Sequence, residues 1–260
     1  MVYRELPPPG FVRFAIDTCE VVCAKHIADA ILEALRAGTL YRYAETHVRA
    51  RPLAGRGVAY AVPLPGDVER VVVRHNRHGG LLAPLTRDLF RSPTFAPAEL
   101  KISDKLRRAG VPTPVMLGYV TYAARGGLRR ADVITREIES SHDLSAAMMS
   151  DDRLRRERAL AATATLVSAL NDAKARHHDL NVKNVLLHDG PDGSLEALVI
   201  DVDRVEFVDD AETAREANLA RLIRSAKKWQ TLHPAGVTDA ELAAFASAVR
   251  ARPRLANTLS

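Results

Sequence analysis

Cysteine is nearly absent from this 260-residue chain: Cys19 and Cys23 are the two it has. They stand four apart in an N-terminal apolar stretch without the further Cys or His a zinc site needs, so ordinary buried thiols are expected. No secretory leader is visible, because MVYRELPPPGFVRF places early charge and three prolines where an apolar centre would stand. No apolar run approaches the roughly 20 residues that span a bilayer; the longest weakly polar stretch, Ala159 to Leu170, contains Thr and Ser. These absences predict a soluble cytoplasmic protein, at most peripheral to a membrane. Repeats and low-complexity linkers are also missing. With 47% hydrophobic and 27% charged residues, the chain has ample core material and too little charge bias for disorder. Its length fits either one large domain or two packed lobes. A formal net charge of +5 and a pI near 9.4 favour an anionic partner: a nucleotide, a phosphosugar, nucleic acid or an acidic membrane surface.

The periodicity divides the chain into a β-rich first half and a helical second half. Val48 to Leu64 alternates around Gly55 and Gly57, and Val71 to Val73 is β-branched, which predicts two or three strands. Pro93 and Pro97 frame a helix from about Ala98 to Arg108, ended by Gly110. Val115 to Ala123 and Ala131 to Glu137 read as strands about a Gly126–Gly127 turn, and Asp143 and Ser145 as caps of a further helix. Asp152 to Ala175 is rich in strong helix formers. The RLRRER block at its start opposes the helix dipole, so those arginines are expected on a solvated face or against an anion. HHDLNVKNVLL, the turn HDGPDG and LEALVID then read as loop, strand, turn and strand, and helix resumes from about Ala211.

Phosphoryl transfer needs a carboxylate to orient and deprotonate the attacking hydroxyl, and oxygen ligands to hold magnesium on nucleotide phosphates. His177-His178-Asp179-Leu180-Asn181-Val182-Lys183-Asn184 places Asp179 and Asn184 five apart, and Asp201 closes the hairpin that follows. For one Asp or Asn alone, turn capping is the ordinary reading. The ordered set H-x-D-L-x-x-x-N, strand, turn, strand and Asp resembles the catalytic loop and metal-binding segment of protein kinases. HHDLNVKN with Asn181, followed by IDVDR at 200–204, is similar to the lipopolysaccharide kinase family that phosphorylates Kdo (3-deoxy-D-manno-octulosonic acid) or heptose. GRG at 55–57, VVVRHNRHGGLLAPL at 71–85, the Glu99 helix and GVPTPVMLGY at 110–119 resemble the subgroup acting on Kdo, the acidic sugar of lipid A, so the likeness spans about residues 50–228.

That resemblance implies an α+β, two-lobed, protein-kinase-like fold: a small antiparallel sheet with one helix, and a larger helical lobe. The corresponding division is an extension over 1–45, a first lobe over 46–140 and a second over 141–260. ATP and magnesium are the implied cofactors, with ATP against the segment near Glu137 to Glu139. Asp179 would orient the acceptor hydroxyl and His177 would brace the loop; Asn184 and Asp201 would hold magnesium. Gly55 and Gly57 would cover the phosphates, although Tyr60 stands where protein kinases have a third glycine. Arg74 would replace the usual phosphate-bridging lysine and pair with Glu99. Lys183 either reaches a phosphate or is a solvated loop lysine, and Asp203 either adds a metal contact or holds Arg204. Two basic clusters, Arg74, His75, Arg77 and His78, and Arg221, Arg224, Lys227 and Lys228, are either surfaces for an acidic glycolipid such as Kdo-lipid A or solvated faces. Trp229 belongs either to the core or to a membrane interface on the inner face of the bacterial inner membrane. No nucleic-acid partner is expected.

After Asp203 there is no A-P-E motif and no long activation segment. A small or lipid-linked hydroxyl acceptor therefore fits better than a protein. A kinase of another acceptor is the rival enzyme reading. A pseudokinase binding module is the rival outside catalysis, favoured by Arg74 and the incomplete glycine loop and opposed by Asp179, Asn184 and Asp201.

Overall fold

The computed structural model describes residues 6–53, 58–76, 89–90, 94–190 and 192–251. The chain divides into two compact units, Met1–Lys101 with Val115–Glu137, and Ile102–Pro114 with Ile138–Ser260. The architecture is α+β.

In the first unit the β-branched and aromatic runs pair as β1 (Phe11–Ile16), β2 (Cys19–Ala24), β3 (Arg51–Leu53), β4 (Ala59–Pro63), β5 (Arg70–His75), β6 (Met116–Ala123) and β7 (Arg129–Arg136). Among the described residues they make one seven-stranded antiparallel sheet in the order β1-β2-β6-β7-β5-β4-β3. Both faces are covered. Ile27, Ile31 and Leu40, from the segment containing α1 (Ala28–Leu35) and α2 (Leu40–Thr46), pack with Val71, Val73, Leu117, Val120 and Ile134 on one side. Ala96 and Leu100 of α3 (Ala96–Arg108) pack with Met116, Tyr119, Ala131 and Val133 on the other. A two-sided sheet explains why Met116 to Tyr122 is buried without polar alternation.

A β-bulge between Met116 and Gly118 resets the alternation of β6, putting Leu117 and Val120 on the same side. At Gly118 a Cβ would stand 2.4 Å from the Val22 carbonyl oxygen and 2.7 Å from Cys23 Cα, so glycine is required by the close approach of two backbones.

Residues 1–45, read from sequence as an extension, instead supply β1, β2, α1 and most of α2 to this unit. Val21, Val22 and Cys23 are fully buried, which is the reason CEVVCA forms an inner strand. Asp132, with no solvent exposure, ties α2 to the sheet: it accepts from the Tyr41 amide (2.9 Å) and the Tyr122 hydroxyl (2.8 Å), and it faces His75 Nδ1 at 2.5 Å. The Tyr122 oxygen in turn accepts from the Leu40 amide at 2.8 Å. Burial, reinforced by the Asp132 charge, pushes the Tyr122 phenol far above its usual range, so it stays neutral.

The second unit holds α4 (Leu144–Met148), α5 (Arg153–Asp172), α6 (Ala211–Leu232) and α7 (Asp239–Ala251), with β8 (His142–Asp143), β9 (Ala175–His177), β10 (Val185–Asp189), β11 (Leu195–Val199) and β12 (Val205–Phe207). The strands form two small antiparallel sheets, β11-β10-β8 and β12-β9. The core is drawn from Leu166, Val167 and Leu170 of α5, Leu180 and Val182 of the following loop, Leu187 and Val199 of the hairpin, and Leu219 and Leu222 of α6. Burying each such side chain stabilises the fold by about 1.5–3 kcal/mol before entropy is counted. Ile102, Leu106 and Val111 also pack here, so residues 102–114 group with this unit rather than with the first lobe assigned from sequence.

Asp152 caps α5, accepting from Leu154 N (2.9 Å) and Arg155 N (3.3 Å). The arginines after it do not share one solvated face. Arg156 turns inward, its side chain only 9% exposed, and pairs with Glu241 (3.0 Å) and the Ser150 carbonyl (2.7 Å). Arg153 stays outside in an i,i+4 pair with Glu157.

Candidate active site

His177 ends β9 and Val185 begins β10, so residues 178–184 form a loop gripped at both ends by strands with different partners. His177 is opposite Val205 of β12; Val185 is opposite Val199 of β11, and Leu186 opposite Asp143 of β8. Two more backbone bonds stitch the loop to residues 200–204: His178 N donates to the Arg204 carbonyl (2.9 Å), and Ile200 N donates to that of Asn184 (3.0 Å). This pairing draws Asp179, Asn184 and Asp201 into one neighbourhood although 22 positions separate the first from the last.

Inside the loop the polar side chains are committed to backbone. Asn181 Nδ2 donates to the Asp179 carbonyl (2.9 Å), and its Oδ1 accepts from Lys183 N (2.9 Å). Asn184 Nδ2 donates to the same Asp179 carbonyl at 2.9 Å. With its nitrogen so engaged, Asn184 keeps Oδ1 without a hydrogen bond among the described residues. The Asp201 carboxylate is in the same condition. Two oxygen donors of this kind, one neutral and one anionic, suit a hard divalent cation that shares its remaining positions with water and phosphate. The residues therefore fit magnesium.

The sequence places Asp201 at the end of the second hairpin strand, but β11 stops at Val199. Asp201 instead takes a left-handed backbone, φ 57°, and opens the tight turn Val202–Arg204. A non-glycine residue in that region is uncommon outside turns and sites, and Asp is among the better tolerated. Asp203 follows in the turn, with Arg204 Nε 3.5 Å from its carboxylate.

His177 is fully buried. Its Nδ1 accepts from Asp179 N (3.1 Å), so its proton must sit on Nε2, which donates to the Ile200 carbonyl (3.0 Å). Burial holds its pKa below the ordinary imidazole value, against the opposing pull of that carbonyl and of Asp201, Asp179 and Asp203. A neutral His177 thus joins the Asp179 amide to the residue before Asp201. Both of its ring nitrogens are occupied.

Helix α6 lies along the loop and supplies contacts that sequence reasoning missed. Asn218, fully buried, accepts from His177 N through Oδ1 (2.9 Å) and donates to the Ala175 carbonyl through Nδ2 (2.9 Å). Ser225 Oγ accepts from Val182 N (3.2 Å). Between them, Arg221 Nη2 donates to Asp179 Oδ1 at 2.9 Å. The spacing 218, 221, 225 is one helical face, which a sequence reader can recognise, but nothing local names the loop forty residues upstream as its partner.

Lys183 turns toward Asp143 Oδ2 (3.0 Å) and the face of Trp229 (4.8 Å to the ring centre), and Trp229 stacks on His233. In the first unit, Arg74 of β5 is ion-paired with the buried Glu99 of α3 and donates to Asn76 Oδ1 at 3.0 Å. Gly55 and Gly57, together with Arg77 and His78 of the first basic cluster, lie outside the described residues. Glu137 accepts from Arg51 (2.7 Å) and Arg70 (2.8 Å), which satisfies its buried carboxylate.

Fold and site together define a phosphotransferase built on a protein-kinase-like framework. Residues 51–248 match the family described as Lipopolysaccharide kinase (Kdo/WaaP) family. The chain belongs to that family. A protein named 3-deoxy-D-manno-octulosonic acid kinase from Stenotrophomonas maltophilia (strain K279a) is 31% identical over 194 residues, covering 68% of this chain and 70% of its own. The protein of that name from Pasteurella multocida (strain Pm70) is 30% identical over 183 residues, covering 68% and 74%. Among solved structures, WaaP in complex with acyl carrier protein shares the fold with TM-score 0.53 and 20% identity over 83% of each chain. A glucosamine kinase in complex with glucosamine, ADP and inorganic phosphate does so with TM-score 0.51 and 14% identity, over 94% of this chain and 82% of its own.

Proposed function

We propose that this chain transfers the γ-phosphoryl group of ATP to a hydroxyl of Kdo on lipid A. The observation that supports the reading is the loop 177–184 stitched to 200–204, because it brings the Asp179 carboxylate and the side-chain oxygens of Asn184 and Asp201 onto a common frame. Family membership and the acid sugar in its relatives' names supply the acceptor class.

Asp179 accepts a hydrogen bond from the acceptor hydroxyl, aligns its oxygen on the γ-phosphorus and takes the proton as the new P–O bond forms and the bond from the γ-phosphorus to the β,γ-bridging oxygen breaks, leaving ADP. Asn184 and Asp201 would hold magnesium, which would neutralise charge on the nucleotide phosphates. His177 fixes the amide of Asp179, and Asn181 and Asn184 fix its carbonyl, so the carboxylate starts from a constrained backbone. Arg74, oriented by Glu99, takes the phosphate-bridging role that lysine has in protein kinases, with a planar fork suited to phosphate oxygens. Lys183 is ion-paired with Asp143 at 3.0 Å. Among the described residues no helix is long and apolar enough to cross a membrane; contact with lipid A from the membrane surface falls to exposed cations such as Arg224, Lys227 and Lys228.

The test is ADP release by purified protein with magnesium, ATP and Kdo-lipid A, with phosphate traced to the sugar. Asp179→Ala should lower the rate by about 10²–10⁴-fold, the usual contribution of a positioned base. Phosphorylation of heptosylated core but not of Kdo would move the acceptor within the family. No acceptor-dependent ADP release with any sugar would make the chain a pseudokinase.

A further inference from the structure

Helix α6 carries Arg221, Arg224, Lys227 and Lys228 between Ala217 and Leu232, and no Asp or Glu in that stretch. All four are exposed. Among the described residues only Arg221 of the four is ion-paired, and its partner is the proposed base, Asp179. The pair is single-stranded: one guanidinium nitrogen meets one carboxylate oxygen at 2.9 Å, and the other N–H donors of Arg221 make no hydrogen bond among the described residues. A guanidinium fork is built for two parallel bonds to an oxyanion, so this one is largely unused.

Arg221 stands on a stretch of helix fastened on either side. Asn218, one turn before it, is locked to His177 and Ala175, and Ser225, one turn after, to Val182. The helix backbone beneath Arg221 is thus fastened to the same loop that carries Asp179, on both sides of the ion pair. A fixed cation stands beside the atom that receives the acceptor's proton. Any acceptor hydroxyl delivered to Asp179 brings the rest of its sugar ring past this guanidinium. Arg224 and Lys228, at i+3 and i+7 from Arg221, extend positive charge along the same face.

We propose that Arg221 is the specificity-determining residue that binds the carboxylate of the acidic acceptor sugar, through the guanidinium N–H groups that its single bond to Asp179 leaves over. The inference rests on the function proposed above and names the residue by which that site selects its acceptor. An oxyanion at this point could come from the sugar carboxylate or from the lipid A phosphates; the carboxylate is favoured because it is borne by the reacting ring itself.

The experiment compares kcat and KM for three acceptors: Kdo-lipid A, the same molecule with its Kdo carboxylate converted to the primary amide, and the same molecule stripped of its lipid A phosphates. Wild type and the Arg221→Gln and Arg221→Lys variants are measured with each. Wild type should prefer acid to amide by about 100-fold in kcat/KM, the scale of a polar group matched to its charged partner. Arg221→Gln should raise KM for the acid by about tenfold or more and shrink the preference to within about threefold, with Arg221→Lys between the two, since lysine keeps the charge and loses the fork. Phosphate removal should change all three proteins alike. A wild type indifferent to amidation overturns the inference, as does an Arg221→Gln variant that loses acid and amide equally, which would mark Arg221 as a support for Asp179 alone. Discrimination that disappears with the phosphates overturns it too. A wild type that phosphorylates no Kdo acceptor overturns the proposed function and this inference together.

Discussion

Asn218 is the place where a substitution far from any reacting atom should do most harm. Its side chain is fully buried and bonds two backbone groups, the His177 N–H and the Ala175 C=O, each at 2.9 Å, with a longer contact of 3.4 Å to Asn171 Oδ1. Asn218→Ala removes both partners at once. Each buried backbone group left without a partner costs about 1–3 kcal/mol, so the two together give about 2–6 kcal/mol, and water entering the vacated space favours the lower half of that range. Asn218→Asp separates the contributions. It keeps an acceptor for His177 N–H but turns an oxygen toward the Ala175 carbonyl, so it should be at least as damaging as Ala at pH 8 and less so in mild acid, where a protonated carboxyl can donate. Urea denaturation followed by the fluorescence of Trp229, the sole tryptophan and part of the same unit, is the assay. An Asn218→Ala loss below about 1 kcal/mol would refute the reasoning, because it would mean these two groups find other partners or are not buried. In the surviving folded fraction kcat should fall as well, since Asn218 holds the residue that holds the Asp179 amide.

Gly118→Ala should lower stability by about 3 kcal/mol or more, because its Cβ meets backbone atoms at 2.4 Å and 2.7 Å and neither strand can retreat without breaking the sheet; a melting temperature within about a degree of wild type would show that the bulge yields. Stability should also depend on acid through His177. Burial holds its folded pKa below the unfolded value of about 6.5, so the unfolded chain binds more protons in the window below that pH. Its contribution is complete above about pH 6.5 and is lost as pH falls toward the folded pKa, by at most about 1.4 kcal/mol per pH unit. Urea midpoints for wild type and His177→Gln, measured downward from pH 7.5, should converge on the acid side; a constant gap would sink the assignment.

What could be read in the one-dimensional chain were features whose physics is local or whose order is diagnostic. The helices around Ala96–Arg108, Arg153–Asp172 and Ala211–Leu232 follow from helix formers and caps such as Asp152. The strands of β6 and β7 follow from their apolar runs, and the loop 177–184 was recognisable because its residue types recur in order with the segment at 200–204. Tertiary structure decided what depends on distant partners. Residues 11–46 look like a loose preface until Asp132, some ninety positions on, accepts from the Tyr41 amide and makes them part of the sheet. Arg156 reads as one more surface arginine until Glu241 draws it inward. Arg221 reads as one of four similar cations, and only the packing of α6 on the loop sets it against Asp179 while Arg224, Lys227 and Lys228 remain exposed. Periodicity shows which face of an element is apolar; which charge a buried or half-buried charge will meet is set by the fold, because that choice is made across the chain and not along it.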